Sequence, residues 1–152
     1  MTPAARPEDG EPTRPLHRAP HRRSIRPPPV ILIADDTTDT CDLYAEYFGG
    51  RGFSVVTAHD GARAVQAALE HVPDVIVMDL AMPQIDGITA IRRIKADART
   101  QRSRTILLTG YPHRVVAWGA YEAGADLFLT KPCLPQVLER CVNRLRRSRR
   151  SV

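Results

Sequence analysis

At 152 residues with 43% hydrophobic content, the chain has room for one domain with a real core plus tails. Its net charge of +5 belongs to the ends: residues 1–29 hold six Arg against three acids, residues 144–152 five Arg against none, and residues 30–143 carry 11 basic and 14 acidic groups. The longest apolar runs are strand-length and no apolar stretch precedes a cleavage site near the N-terminus, so a membrane span and a secretory signal are set aside and a cytoplasmic location is expected.

In chain order, residues 1–29 contain eight of the thirteen prolines and almost no periodic apolar positions, which predicts a disordered or polyproline-like arm. From Val30 the pattern changes. Val30 to Asp35 reads as a buried strand, Asp39 to Gly49 as a helix, Phe53 to Ala58 as a strand and Asp60 to His71 as a helix. Asp74 to Asp79 is the third strand, followed by a Pro83/Gly87 loop and a helix through Ile88, Ile91 and Ile94. Thr105 to Thr109, His113 to Ala123, Ala125 to Leu129 and Pro135 to about Arg147 complete the alternation. Five strands separated by helical stretches predict a doubly wound α/β domain, a five-stranded parallel sheet with helices on both faces. The expected organisation is an arm at 1–29, a domain at 30–147 and a basic tail at 148–152.

In such sheets functional groups gather beyond the carboxyl ends of the strands. Those ends carry Asp35 and Asp36 after the first strand, Asp79 after the third, Thr109 after the fourth, and Lys131-Pro132 after the fifth. Clustered carboxylates repel one another unless a cation sits among them, and hard oxygen donors without His or Cys favour Mg²⁺, with Mn²⁺ as the alternative. Such a metal suits phosphoryl transfer, with one carboxylate as nucleophile. Asp79, ending the central strand, is the candidate phosphoacceptor; Lys131 and the Thr109 hydroxyl would bind the phosphoryl oxygens. Twenty Arg against two Lys makes Lys131 conspicuous.

Four fragments in order on these strand ends carry a family resemblance: Asp35-Asp36; Asp79-Leu80-Ala81-Met82-Pro83 with Asp86-Gly87; Leu108-Thr109-Gly110; and Phe128-Leu129-Thr130-Lys131-Pro132. Residues 30–147 resemble the receiver domains of bacterial response regulators, of the stand-alone chemotaxis type. The resemblance implies that Asp79 takes its phosphoryl group from a histidine kinase or histidine phosphotransfer protein. Asp36, Asp79 and the backbone carbonyl of Ala81 would bind Mg²⁺ directly, Asp35 would act through water, and Lys131-Pro132 would be cis. It also implies a switch in which Thr109 moves inward and Phe128 follows, changing the face of the fourth helix, fifth strand and fifth helix where a downstream protein or a second copy binds. Ala at position 81 cannot orient an attacking water, which implies a long-lived phosphoprotein. The chain would not be an enzyme beyond transfer to, and hydrolysis from, its own Asp.

Simpler readings stand beside these. Asp35 and Asp36 could cap the following helix, although Thr37, Thr38 and Asp39 already offer caps. Thr130 reads as structural, Phe128 as either switch or core, and Trp118 and Tyr121 as surface or packing residues. Gly49-Gly50-Arg51-Gly52 follows a helix and precedes a strand, the wrong order for a phosphate loop. Cys41, Cys133 and Cys141 lack C-x-x-C spacing; Cys133 and Cys141 are expected eight residues apart on one helix, about 12 Å of rise, too far to bridge. A receiver-like protein that binds its partner constitutively, and a basic-tailed nucleic-acid binder, are the alternatives; nucleic acid and membrane are not expected as partners.

Overall fold

A computed structural model describes residues 26–148; most of the expected arm, up to position 25, and the tail from position 149 lie outside the described residues. The elements are β1 (Val30–Ala34), α1 (Thr38–Gly49), β2 (Ser54–Ala58), α2 (Gly61–His71), β3 (Val75–Met78), α3 (Gly87–Ala96), β4 (Arg104–Thr109), α4 (Arg114–Ala123), β5 (Leu127–Thr130) and α5 (Pro135–Ser148). All strands are parallel in one sheet of order β2-β1-β3-β4-β5. The doubly wound fold expected from the sequence is the one observed.

Period-two alternation divides the core. Leu32, Ala34, Ile76, Met78 and Leu107 face α2, α3 and α4, meeting Ala64, Ala68, Ile91, Ile94 and Ala120. Ile31, Ile33, Val75, Val77, Ile106 and Leu108 face α1 and α5, meeting Tyr44, Phe48, Leu138 and Val142. The central strands β1, β3 and β4 are covered on both sides, which is why they read as unbroken apolar runs. Each fully buried Ile or Leu contributes about 1.5–3 kcal/mol of transfer free energy. The small alanines on α2, α3 and α4 allow those helices to sit close to the sheet.

Boundaries shift where local hydrogen bonding decides them. β5 begins at Leu127 rather than Ala125, because Gly124 (φ 106°) ends α4 and the amides of Ala125 and Asp126 bond back to Ala120 and Thr105. At its other end β5 includes Thr130, which pairs with Thr109. α2 stops at Val72, a β-branched residue held at φ 43° without glycine's freedom. α5 runs to Ser148, one residue into the expected tail, and Cys133 lies ahead of it, so Cys133 and Cys141 do not share a helix. All three cysteines are free thiols. Among the described residues no helix is long and apolar enough to cross a membrane.

Candidate functional site

β1 connects to β2 on one side and β3 lies on its other side, so the strand order reverses between β1 and β3. At that point the loops leave in opposite directions and open a crevice beyond the strand ends. Ala34 pairs with Met78, so the residues that follow, Asp35 and Asp79, emerge side by side, and the Asp79 amide donates to the Ala34 carbonyl at 2.9 Å. Carboxylate oxygens of Asp35, Asp36 and Asp79 all lie within 4.8 Å of one another. Asp35 and Asp79 are 3% and 8% exposed, while Asp36 faces solvent.

On the other side, Thr109 pairs with Thr130 and the Lys131 amide donates to the Thr109 carbonyl at 2.8 Å. The Lys131-Pro132 bond is cis, as expected. The Lys131 ammonium donates to Asp35 Oδ2 at 2.6 Å and stands 3.5 Å from Asp79 Oδ1. Burial pulls this ammonium down, and the Asp35 hydrogen bond with the charges of Asp79 and Asp35 outweighs it, leaving Lys131 above its ordinary range. Burial and the neighbouring Asp35 charge push Asp79 above the usual carboxylate range, against the pull of Lys131 and the Leu80 amide.

The loop after β3 is folded tightly under Asp79. The Leu80 amide donates to Asp79 Oδ1 at 2.9 Å, the Gly87 amide donates to the Leu80 carbonyl at 2.8 Å, and a Cβ at Gly87 would run into the Asp79 carbonyl. Asp86 caps α3 through the Thr89 amide and hydroxyl. Ala81 is exposed on this loop, two residues after Asp79. Thr109 is 1% exposed, and its Oγ1 accepts from the Tyr111 amide at 3.3 Å. Phe128 is half-buried on the same side of the sheet, pairing with Leu107 two residues below Thr109. Gly110 has open space where a Cβ would stand.

The structure brings Asp35, Asp36, Asp79, Thr109 and Lys131 to one rim, sets Phe128 two residues below it in β5, and adds details the sequence did not show. Thr37 occupies the N-cap of α1 without a side-chain cap; the Thr37 amide instead donates to Asp35 Oδ1 at 2.9 Å, so Asp35 joins a turn and the lysine at once. The Cys41 thiol donates to the Asp35 carbonyl at 3.3 Å, and burial with the Asp35 charge pushes it up to about 11. That keeps it protonated and poorly reactive. Tyr121 on α4 accepts the Phe128 amide on its hydroxyl at 3.2 Å, tying α4 to β5. The first of these is a local turn between residues two apart, whereas no spacing in the sequence signals the other two.

Three carboxylates face a single ammonium, so the cluster holds an excess of negative charge that a divalent cation with oxygen preference would balance. The donor set therefore fits Mg²⁺.

Residues 31–143 match the family model of the response regulator receiver domain. The chain is 38% identical over 104 residues to the chemotaxis protein CheY of Bacillus subtilis, covering 67% of this chain and 84% of that one. It is 34% identical over 123 residues to the DNA-binding dual master transcriptional regulator RpaA of Synechocystis, covering 80% of this chain and 51% of RpaA, and so spans about half the length of that relative. Among solved structures, a CheY-like response regulator receiver domain protein from Methanospirillum hungatei superposes with a TM-score of 0.75 at 22% identity, over 80% of this chain and 96% of that one, a likeness of fold.

Proposed function

Because this chain belongs to the response regulator receiver family, we propose that it takes a phosphoryl group onto the Asp79 carboxylate from the phosphohistidine of a histidine kinase or phosphotransfer protein. The observation that carries this is the crowded rim, where Asp79 stands beside Asp35, Asp36 and Lys131 with its own pKa raised. An Asp79 oxygen attacks phosphorus, the P–N bond to the donor imidazole breaks, and the imidazole leaves with a proton.

The chain's own groups prepare this step. The Leu80 amide holds Asp79 Oδ1, which helps fix the rotamer of the carboxylate. Lys131 is within reach of an oxygen on the transferred group, and the Thr109 hydroxyl proton is available to donate to another. Asp36, Asp79 and the Ala81 carbonyl would hold Mg²⁺, with Asp35 behind a water. The ion, when bound, neutralises charge on the phosphoryl oxygens. Asp35 has a second task, since it orients Lys131 directly.

Thr109 drawn towards the phosphoryl group leaves space on the side of the sheet where Phe128 waits, and this couples the site to the face of α4, β5 and α5. Tyr111, Val115 and Trp118 are exposed there, Val115 by 81% and Trp118 by 69%, offering an apolar surface to a downstream protein or a phosphorylation-dependent second copy. Residues 30–147 form the receiver, acting in the cytoplasm, and Ala81 leaves the phosphoaspartate without a side chain to direct water, so it decays slowly. The test is intact mass after incubation with acetyl phosphate. A gain of one phosphoryl group that needs Mg²⁺ and is absent in Asp79→Ala supports the reading; a chain that gains none, from acetyl phosphate or from a phosphorylated kinase, is a constitutive interaction module instead.

A further inference from the structure

All five strands are parallel, so the segments that lead into them and the last turn of α5 meet at the end of the sheet opposite Asp79. The Ser54 amide donates to the Pro29 carbonyl at 2.9 Å and the Arg104 amide to the Asp74 carbonyl at 3.0 Å. The end of α5 is tied across the same pole, because Arg104 donates to the Ser148 hydroxyl at 3.1 Å and the Arg146 guanidinium lies 5.1 Å from the centre of the Phe53 ring.

This pole is basic. Arg26 ahead of β1, Arg51 ahead of β2, Arg99 and Arg102 ahead of β4, and Arg144 and Arg147 on α5 are all exposed. The acids of its loops are engaged: Asp74 accepts the Val30 amide at 2.8 Å, Asp97 holds Arg99 at 2.8 Å, and Asp126 takes Lys95 and Arg104 at 3.0 Å each. Two exposed acids, Glu70 and Glu122, stand in the last turns of α2 and α4, on the other face of the sheet from α5. Among the described residues no ion pair holds Arg102, Arg144 or Arg147. An arginine in a last helical turn offsets the helix dipole, which accounts for Arg147 but not for the four arginines in the loops. The charge continues in the sequence, with Arg149-Arg150 directly after Ser148 and Arg22-Arg23 shortly ahead of Arg26. Charge at two distant stretches of sequence specifies no partner by itself; the fold sets positions 26 and 148 at one pole.

We propose that this pole binds the backbone of duplex DNA without preference for sequence. A duplex carries about one negative charge per 1.7 Å of its axis, and guanidinium groups meet phosphate oxygens with paired hydrogen bonds. Arg140, Arg144 and Arg147 line one shallow groove with Asn143, which carries the basic surface along α5. Leu138 and Val142 hold α5 against the sheet, so its arginines are offered to phosphates and not to base edges. An anionic bilayer would take the same charge but also requires apolar side chains to insert, and a protein partner requires an apolar centre to bury. Among the described residues no large apolar side chain is exposed within 50–53, 97–104 or 139–148. The acidic rim of Asp35, Asp36 and Asp79 lies at the far end of the strands, away from the polyanion, and the inference does not depend on phosphoryl transfer there.

The test is fluorescence anisotropy of a labelled duplex of about 20 base pairs, titrated with the full, unphosphorylated chain between about 50 mM and about 200 mM NaCl. The logarithm of the binding constant should fall linearly with the logarithm of salt, with a slope of about −4, and two unrelated sequences should bind within about twofold of each other. Arg102→Gln, Arg144→Gln and Arg147→Gln should each weaken binding about threefold to tenfold and reduce the slope by about 1, and the triple variant by about 3. Arg114→Gln, at the rim end of α4, should change neither. Thermal melts check that the variants are folded, and the single variants decide the matter if the triple variant is not. No binding at about 50 mM NaCl up to about 100 µM chain, a triple variant with the wild-type slope, or an equal loss in Arg114→Gln would each overturn the proposal. Vesicles containing phosphatidylglycerol are titrated in parallel; their capture by a chain that ignores the duplex would assign the pole to a membrane surface and overturn it as well.

Discussion

Asp79, beyond the end of β3, and Asp126, just ahead of β5, are carboxylates withdrawn from water at opposite ends of the sheet. Asp126 accepts from the Thr105 amide at 2.8 Å, Lys95 at 3.0 Å and Arg104 at 3.0 Å. Burial pushes it up, but the Thr105 amide and the two cations outweigh that and hold it below the usual carboxylate range. Asp79 has one amide, a lysine already committed to Asp35, and two carboxylates as neighbours, and it is held above that range. The same side chain is a well-paired brace at the amino end of the strands and a crowded like charge at the carboxyl end. This imbalance supports the proposal that a cation and a phosphoryl group are received there.

Removing the brace should have the largest effect. Asp126→Ala leaves Lys95 and Arg104 without their partner and frees the Thr105 amide, and should cost about 3 kcal/mol in urea unfolding, with phosphoryl uptake retained. A loss below about 0.5 kcal/mol would mean that Asp126 is no brace.

Acidification should separate the two ends by sign. Asp126 has a depressed folded pKa, so its stabilisation is complete above its unfolded value near 3.8 and is lost as pH falls through the lower folded value. Asp79 has a raised folded pKa, so the cost of its charge is relieved as pH falls through that higher value. The stability gap between wild type and Asp79→Asn should therefore close above pH 3.8, and the gap to Asp126→Ala below it. Denaturant titrations across acidic pH would show whether the windows are ordered this way.

The smallest effect serves as a reference away from both carboxylates. Val72→Gly relieves a left-handed valine at the end of α2 and should stabilise by about 0.5–1 kcal/mol, with no change in phosphoryl uptake or response to Mg²⁺.

The two ends also differ in how legible they were in the sequence. The rim could be read because each residue follows an apolar strand directly, so strand order alone places Asp35, Asp36, Asp79, Thr109 and Lys131 together. The brace could not, because Lys95, Arg104 and Asp126 belong to three different segments and meet only through the β4–β5 pairing and the end of α3. The same holds within the site: that Lys131 takes Asp35 as its nearer partner depends on fractions of an ångström. Thr37 does take the N-cap position offered for it, but its hydroxyl makes no cap bond, a rotamer choice that residue type alone does not fix. The left-handed Val72 had no glycine or asparagine to announce it.

The most direct test of this contrast is thermal stability as a function of Mg²⁺ for wild type and Asp79→Asn. Without the ion the variant should be the more stable by about 1–2 kcal/mol, since it loses a buried like charge. Saturating Mg²⁺ at about one hundred times its Kd should raise the wild type by about 2.7 kcal/mol and the variant far less. A wild type that ignores Mg²⁺, or an Asp79→Asn chain less stable than wild type without it, would contradict the claim that the rim is an unbalanced cluster awaiting a cation.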